Sequence, residues 1–250
     1  MDKELRNDLE SFRASVATEA DRIIYHTFPT KILELQKRID EINTPLSIYN
    51  PSRIDAMTDA TVYNPNRDSD QLDVKKRKRG LDGEIINGYG VDESAGSGAV
   101  YGGHVKTNTH LRTILAELKA EYEELGSLCE KLKLWVNLTM PKIEDGDNFG
   151  VAVQEEVTNE LQRAQDSVTN LCDVARQHHL ARAKISSKIL KYPHVDDYAI
   201  ALREHDERQL YNARRTLRDL RTIYAVLTDI IHKNITKIRF PKGNNAVSLY

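Results

Sequence analysis

The residues in this chain whose types and spacing suit chemistry fall in a few short stretches. One is acidic: Glu144, Asp145 and Asp147 sit within Pro141-Lys142-Ile143-Glu144-Asp145-Gly146-Asp147-Asn148-Phe149-Gly150. Clustered carboxylates suit a hard cation, and a calcium loop places oxygen ligands at alternate positions. Phe149 stands where the third of those ligands belongs, so no calcium site is expected. A second stretch is His178-His179. Neighbours on a helix diverge by about 100°, so these imidazoles do not readily share a metal. The expectation is one partly buried histidine and one solvated. Gly88-Tyr89-Gly90 is no dinucleotide loop, because Glu93 holds the place of the later glycine and no strand precedes it. Cys129 and Cys172 lie in apolar ladders without metal-ligand spacing. No serine or cysteine occupies a nucleophile elbow, and the Glu-x-x-His pairs of metal-binding bundles are missing. No catalytic residue, no metal and no cofactor are therefore expected.

Two other stretches suit binding. Lys75, Lys76, Arg77, Lys78 and Arg79 form an unbroken basic run in Gly- and Pro-rich surroundings. Such a run reads as a nuclear-import signal or a nucleic-acid patch, and import is the favoured reading. The last ten residues, 241–250, follow an apolar ladder and end in Ser248, Leu249 and Tyr250. A flexible tail with an apolar end and a terminal carboxylate suits capture in a pocket by backbone and basic donors. The acidic loop belongs in the same discussion. It is longer than a helix-helix turn needs, and long loops carry function more often than the elements they connect.

The elements that position these stretches are helices. Leu5, Leu9, Phe12, Val16, Ala20 and Ile23 recur at spacings of three and four, which predicts helix over 1–43. Phe28-Pro29 should kink or restart it, because proline lacks the N–H and crowds the preceding turn. Residues 44–104 lose the apolar period and carry three prolines, then eight glycines. They read as a long disordered insert with a task of its own. The ladder resumes over 105–240 as three helices, separated by loop 141–150 and by Pro193. Asp196 and Asp197 begin the last helix, and Lys237 and Arg239 end it, as the helix dipole favours. Helices of this length need partners along their whole length, so the fold expected is all-α, an elongated four-helix bundle. Leu134, Val136, Leu138 and Ile231 fall outside a single narrow stripe. They widen the core or face a neighbouring subunit.

Composition narrows the function. Hydrophobic residues are 40% and charged residues 30% of the chain, and the formal net charge is -2. That balance suits long helices with one buried stripe, and gives no global field to favour nucleic acid. No apolar run approaches a membrane span, and the N-terminus lacks the apolar core of a signal peptide. A reduced, intracellular setting and no membrane partner are expected.

Taken together, these parts resemble the 11S (REG-type) proteasome activators. The likeness rests on the loop Pro141 to Gly150 with Val151-Ala152-Val153-Gln154-Glu155-Glu156 after it. Lys191-Tyr192-Pro193-His194-Val195-Asp196-Asp197-Tyr198 and Ile230-Ile231-His232-Lys233-Asn234-Ile235 are similar too, as are Ser11-Phe12-Arg13 and Phe28-Pro29-Thr30-Lys31. It covers the chain outside the insert. The resemblance implies a heptameric ring of bundles around a channel, capping the proteasome core particle without ATP. It implies that Ser248, Leu249 and Tyr250 enter pockets between the core's alpha subunits. It also implies that Glu144, Asp145, Gly146, Asp147, Asn148 and Phe149 form an activation loop that opens the alpha-ring gate.

Within that family the nuclear gamma type is most similar, since it carries a basic run in its insert. Arg182-Ala183-Lys184 resembles its pattern, which makes Lys184 a channel-lining candidate. One position departs: the family loop usually reads Gly-Asn-Asn, and this chain has Asp147. Aspartate keeps the shape but loses two donors and gains a charge, which weakens the expectation of gate opening without touching that of tail binding. A competing reading is a nuclear helical scaffold that binds nucleic acid or proteins through its basic run. It would bind DNA or RNA in a salt-dependent way, and neutralising 75–79 would abolish that binding.

Overall fold

The computed structural model describes residues 2–53, 58–63, 103–142 and 149–242, apart from the Cys172 side chain. The basic run, the Gly88-Tyr89-Gly90 stretch, loop residues 144–148 and tail residues 248–250 lie outside the described residues. Four helical rods pack along one another. The first is α1 (Lys3–Arg22) and α2 (Phe28–Asp40), joined by a π-helical turn at Ile23–Thr27. The others are α3 (Thr109–Thr139), α4 (Phe149–Lys191) and α5 (Asp197–Arg239). The last two have 43 residues each, or about 65 Å at the usual rise. The chain stays helical through Pro29. The break in the α-helical ladder falls just before it, where the Phe28 N–H reaches back to the Ile23 carbonyl. Pro29 itself sits in the first turn of α2, and the Ile24 carbonyl of the preceding turn lies 3.2 Å from His232 Nε2.

The core is one continuous cluster shared by all four rods. The α3 ladder supplies Leu111, Ile114, Leu118, Tyr122, Leu125 and Leu132, each at least 95% buried. Val157, Leu161 and Ala164 of α4 and Leu217, Leu220 and Tyr224 of α5 close on it. Phe28 meets Tyr224 edge-on at 5.2 Å, and the Tyr122 hydroxyl donates to the Thr216 carbonyl at 3.2 Å. Cys129 is fully buried and burial pushes its thiol up to about 12, so it is a packing residue and not a nucleophile. Val136 and Ile231 are in the core, which widens the stripe. Leu134 stays 41% exposed.

Ion pairs set the register of the first rod against α3. Glu121 accepts from Lys31 at 3.0 Å and from Arg38 at 2.9 Å. Glu19 pairs with Arg22 and, at 2.9 Å, with Lys131, and hydrogen bonds from both hold its carboxyl down to about 2. The two rods therefore run antiparallel. The first turns of α1 make no such contact. From Lys3 to Ser15 every residue is exposed, including Leu5, Leu9 and Phe12.

The described residues after α2 stay on the bundle. Ile42 and Tyr49 are buried, and the Asn50 amide donates to the carbonyls of Asn43 and Thr44. Two short strands, β1 (Val62–Tyr63) and β2 (His104–Val105), pair antiparallel. The 40 intervening residues thus begin and end at one place. Asn108 then caps α3, its side-chain oxygen accepting the Leu111 N–H at 3.1 Å. No helix among the described residues is long and apolar enough to cross a membrane.

Leu161→Ala would remove a fully buried side chain from the centre of this cluster. It should lower stability by about 2–5 kcal/mol, read from urea unfolding followed by circular dichroism.

Candidate functional site: a loop base beside a tail base

Three rods finish at one end of the bundle: α3 stops at Thr139, α4 starts at Phe149 and α5 stops at Arg239. Gln154 ties them. It is fully buried, and its amide donates to the Ile238 carbonyl at 2.8 Å and to the Thr139 hydroxyl at 3.2 Å. Thr139 in turn donates to the Val136 carbonyl at 2.8 Å. One side-chain amide in the second turn of α4 thereby fixes the exit of α3 and the exit of α5.

Gly150 makes the closest approach. A Cβ built there would lie 2.0 Å from the Pro241 carbonyl oxygen and 2.5 Å from its Cα. Only glycine lets the chain leaving α5 cross the start of α4 at this separation. Beside it the Lys242 ammonium reaches the Lys142 carbonyl at 3.5 Å. The residues on both sides of 143–148 therefore touch the residues that lead into 243–250. Phe149, the described member of the predicted loop set, is 61% exposed and lies beneath the Lys237 ammonium at 5.6 Å. The sequence marks Gly150 as a helix boundary, but neither its approach to Pro241 nor the tie made by Gln154 follows from local pattern. A glutamine on an otherwise apolar helix face was the signal available.

Lys184 is elsewhere. It is exposed on α4, about 50 Å along the helix from Phe149. Near it lies a second polar constellation, and this one is buried. Asp206 is fully buried and Arg182 is 5% exposed, and their ion pair closes at 3.1 Å. Asn108 and Thr58 donate to Asp206 Oδ2 at 3.0 and 3.1 Å. Arg182 Nη1 donates to the Lys106 carbonyl at 2.9 Å. This pair holds both strands' flanking segments on α4 and α5, and removing one partner would leave a buried charge. One turn before Arg182, His178 is buried while His179 is exposed. His178 Nδ1 lies 3.0 Å from His205 Nε2 of α5, with the rings nearly parallel. Burial, then His205, push His178 down to about 4, so it is neutral near pH 7.

A helical bundle whose inter-helix loop and C-terminal segment leave side by side is the class of protein this geometry defines. The family "Proteasome activator PA28, N-terminal" matches residues 3–47, and "Proteasome activator PA28, C-terminal" matches residues 104–248. The chain is 35% identical to human proteasome activator complex subunit 3 over all of its own length and 98% of that protein. It is similar in structure to the 11S subunit PA28 of the Plasmodium falciparum proteasome, with a TM-score of 0.72, 29% identity and 96% of each chain covered. A further likeness, of fold alone, is to a chain from an archaeal 20S proteasome in complex with a mutated P26 activator. Its TM-score is 0.59 at 14% identity, covering 98% of this chain and 99% of that one. This chain belongs to the PA28 family of proteasome activators.

Gly150→Ala should force Pro241 away from the start of α4. Hydrogen exchange would read this as faster exchange at Arg239 and Phe240, with helix content unchanged. Unaltered exchange there would show that the crossing tolerates a methyl group.

Proposed function

We propose that this protein is an ATP-independent activator of the proteasome core particle, a regulator that cleaves nothing itself. The observation that carries the reading is the contact of Gly150 with Pro241. It means a tail that binds and a loop that acts leave the bundle at one point. In the proposal, Ser248, Leu249 and Tyr250 enter pockets between alpha subunits of the core. Glu144, Asp145, Gly146, Asp147, Asn148 and Phe149 then bear on the alpha-ring gate and hold it open. The fold likeness to an activator solved with a 20S proteasome, and the PA28 membership, support the core particle as partner. The buried tie from Gln154 supplies the stiffness needed to pass a docking event at the tail to the loop.

Seven copies form a closed ring in this reading. The exposed Leu5, Leu9 and Phe12 of α1 give each subunit an apolar stripe that the described residues of its own chain leave wet, which suits a head-to-tail neighbour. A ring also explains how short tails suffice. Once one has docked, the others bind at high effective concentration, and avidity exceeds single-tail affinity by roughly 10²–10⁴-fold. Lys184, exposed on α4, lines the channel, and Lys75 to Arg79 direct the protein to the nucleus while a cytoplasmic pool remains.

Purified core particle with fluorogenic peptides tests the whole reading. Added protein should stimulate hydrolysis without ATP, with a bias toward cleavage after basic residues. Deleting Tyr250 should abolish stimulation while sedimentation still shows the ring, and full stimulation without the tail would overturn the mechanism. Asp147→Asn should stimulate more than the natural chain at equal occupancy of the core, because the amide restores the donors that aspartate lacks.

A further inference from the structure

His178, His205 and Asp206 have no part in gate opening, which takes place at the other end of the bundle. Their ligand atoms lie within 4.8 Å of one another. His178 comes from α4, and His205 and Asp206 come from α5. We propose that these three side chains bind one divalent transition-metal ion per subunit, zinc fitting best, and so clamp α4 to α5 beside the roots of the insert.

The distances suit the ion. Zinc holds imidazole nitrogens at about 2.0–2.1 Å in a tetrahedral shell, which places two such nitrogens roughly 3.3 Å apart. His178 Nδ1 and His205 Nε2 are already 3.0 Å apart. A metal takes the place of the proton they share, which moves to the other nitrogen of its own ring so that both imidazoles stay neutral, and the rings need only a few tenths of an ångström of separation together with a small swing. The carboxylate has capacity to join them. Among the described donors, Asn108 and Thr58 use Asp206 Oδ2, while Oδ1 accepts only Arg182 Nε. A carboxylate oxygen has two lone pairs, so Oδ1 keeps one for a cation. Asn108, Thr58 and Arg182 meanwhile hold the carboxylate in place, as the outer partners of metal ligands commonly do.

The donor set also selects the ion. Two imidazoles and one carboxylate suit zinc, copper or nickel, whereas calcium and magnesium require a shell of oxygens. His205 is only half-buried, which gives the ion a route in and leaves the fourth position to water. The Arg182 guanidinium on Asp206 subtracts from the attraction. Binding is therefore weaker than in a structural finger. Because Asp206 also receives Thr58 and Asn108, an occupied site would stiffen the point where the insert leaves and rejoins the bundle.

The test uses the full-length protein after dialysis against a chelator. Zinc chloride is titrated in competition with a chromophoric chelator, and cobalt chloride is titrated in parallel for its ligand-field absorption. The expected result is one zinc per subunit, tetrahedral cobalt bands, and a thermal midpoint raised by roughly 5–10 °C at a hundredfold excess over Kd. His205→Gln, at a half-buried position, should weaken binding about 10–100-fold. His178→Gln should do the same where it folds. His179→Gln, one residue away and exposed, should leave binding unchanged. Absence of stoichiometric zinc binding to the folded wild-type protein would overturn the proposal. So would undiminished binding in His205→Gln, or an equal response to magnesium.

Discussion

The crossing of Pro241 over Gly150 is the constraint on which the end of the bundle where α4 starts and α5 stops depends. Two chain segments far apart in sequence meet backbone to backbone, with no side chain between them. Such a contact has almost no compliance, because neither partner can change rotamer to absorb a displacement. Gln154 reinforces it from beneath with two hydrogen bonds inside the apolar core, where they are exchanged for no water. The start of α4 and the exits of α3 and α5 are consequently parts of one rigid block.

Much of this was legible in the sequence, and the reason is period. On α3 the residues that repeat at three and four, from Leu111 to Trp135, are the ones that end up buried. Side chains on a helix face are set by local geometry alone, so a one-dimensional pattern reports them. The loop could be seen because Pro141 and Gly150 bracket a break between two such ladders. What could not be seen are contacts between residues far apart in the chain. Asp206 takes hydrogen bonds from Thr58, 148 residues away, and from Asn108, 98 residues away. His178 meets His205 across 27 residues. Each of those residues, read alone, is an ordinary polar position on a wet helix or in a polar linker. The adjacent pair His178-His179 drew attention to the wrong neighbour, since the imidazole that faces His178 comes from the next helix.

The two ends of the bundle are built on opposite principles. At the end that carries the loop the buried tie is uncharged and tight: an amide, a hydroxyl, a glycine and backbone carbonyls. The end that holds the strands is ionic, with Arg182 and Asp206 buried together at 3.1 Å. A buried ion pair adds little net stability, but it penalises any arrangement that separates the charges. Thr58, Asn108 and the Lys106 carbonyl hydrogen-bond to these two charges, so their departure would leave buried charge short of partners. The roots of the insert are fixed without asking anything of the residues between them.

The π turn at Ile23–Thr27 has a geometrical consequence for the first rod. Ala20, Ile24, Phe28 and Ile32 recur every four residues. At 3.6 residues per turn each such step overshoots by about 40°, so the run would wind about 120° around the rod. A single wide turn takes in one extra residue and cancels about 100° of that drift. Upstream and downstream stripes then stay in phase, and Ala20, Ile24, Phe28 and Leu35 are all buried. One added residue, placed just before a proline, converts two helical surfaces that would point in different directions into one continuous edge.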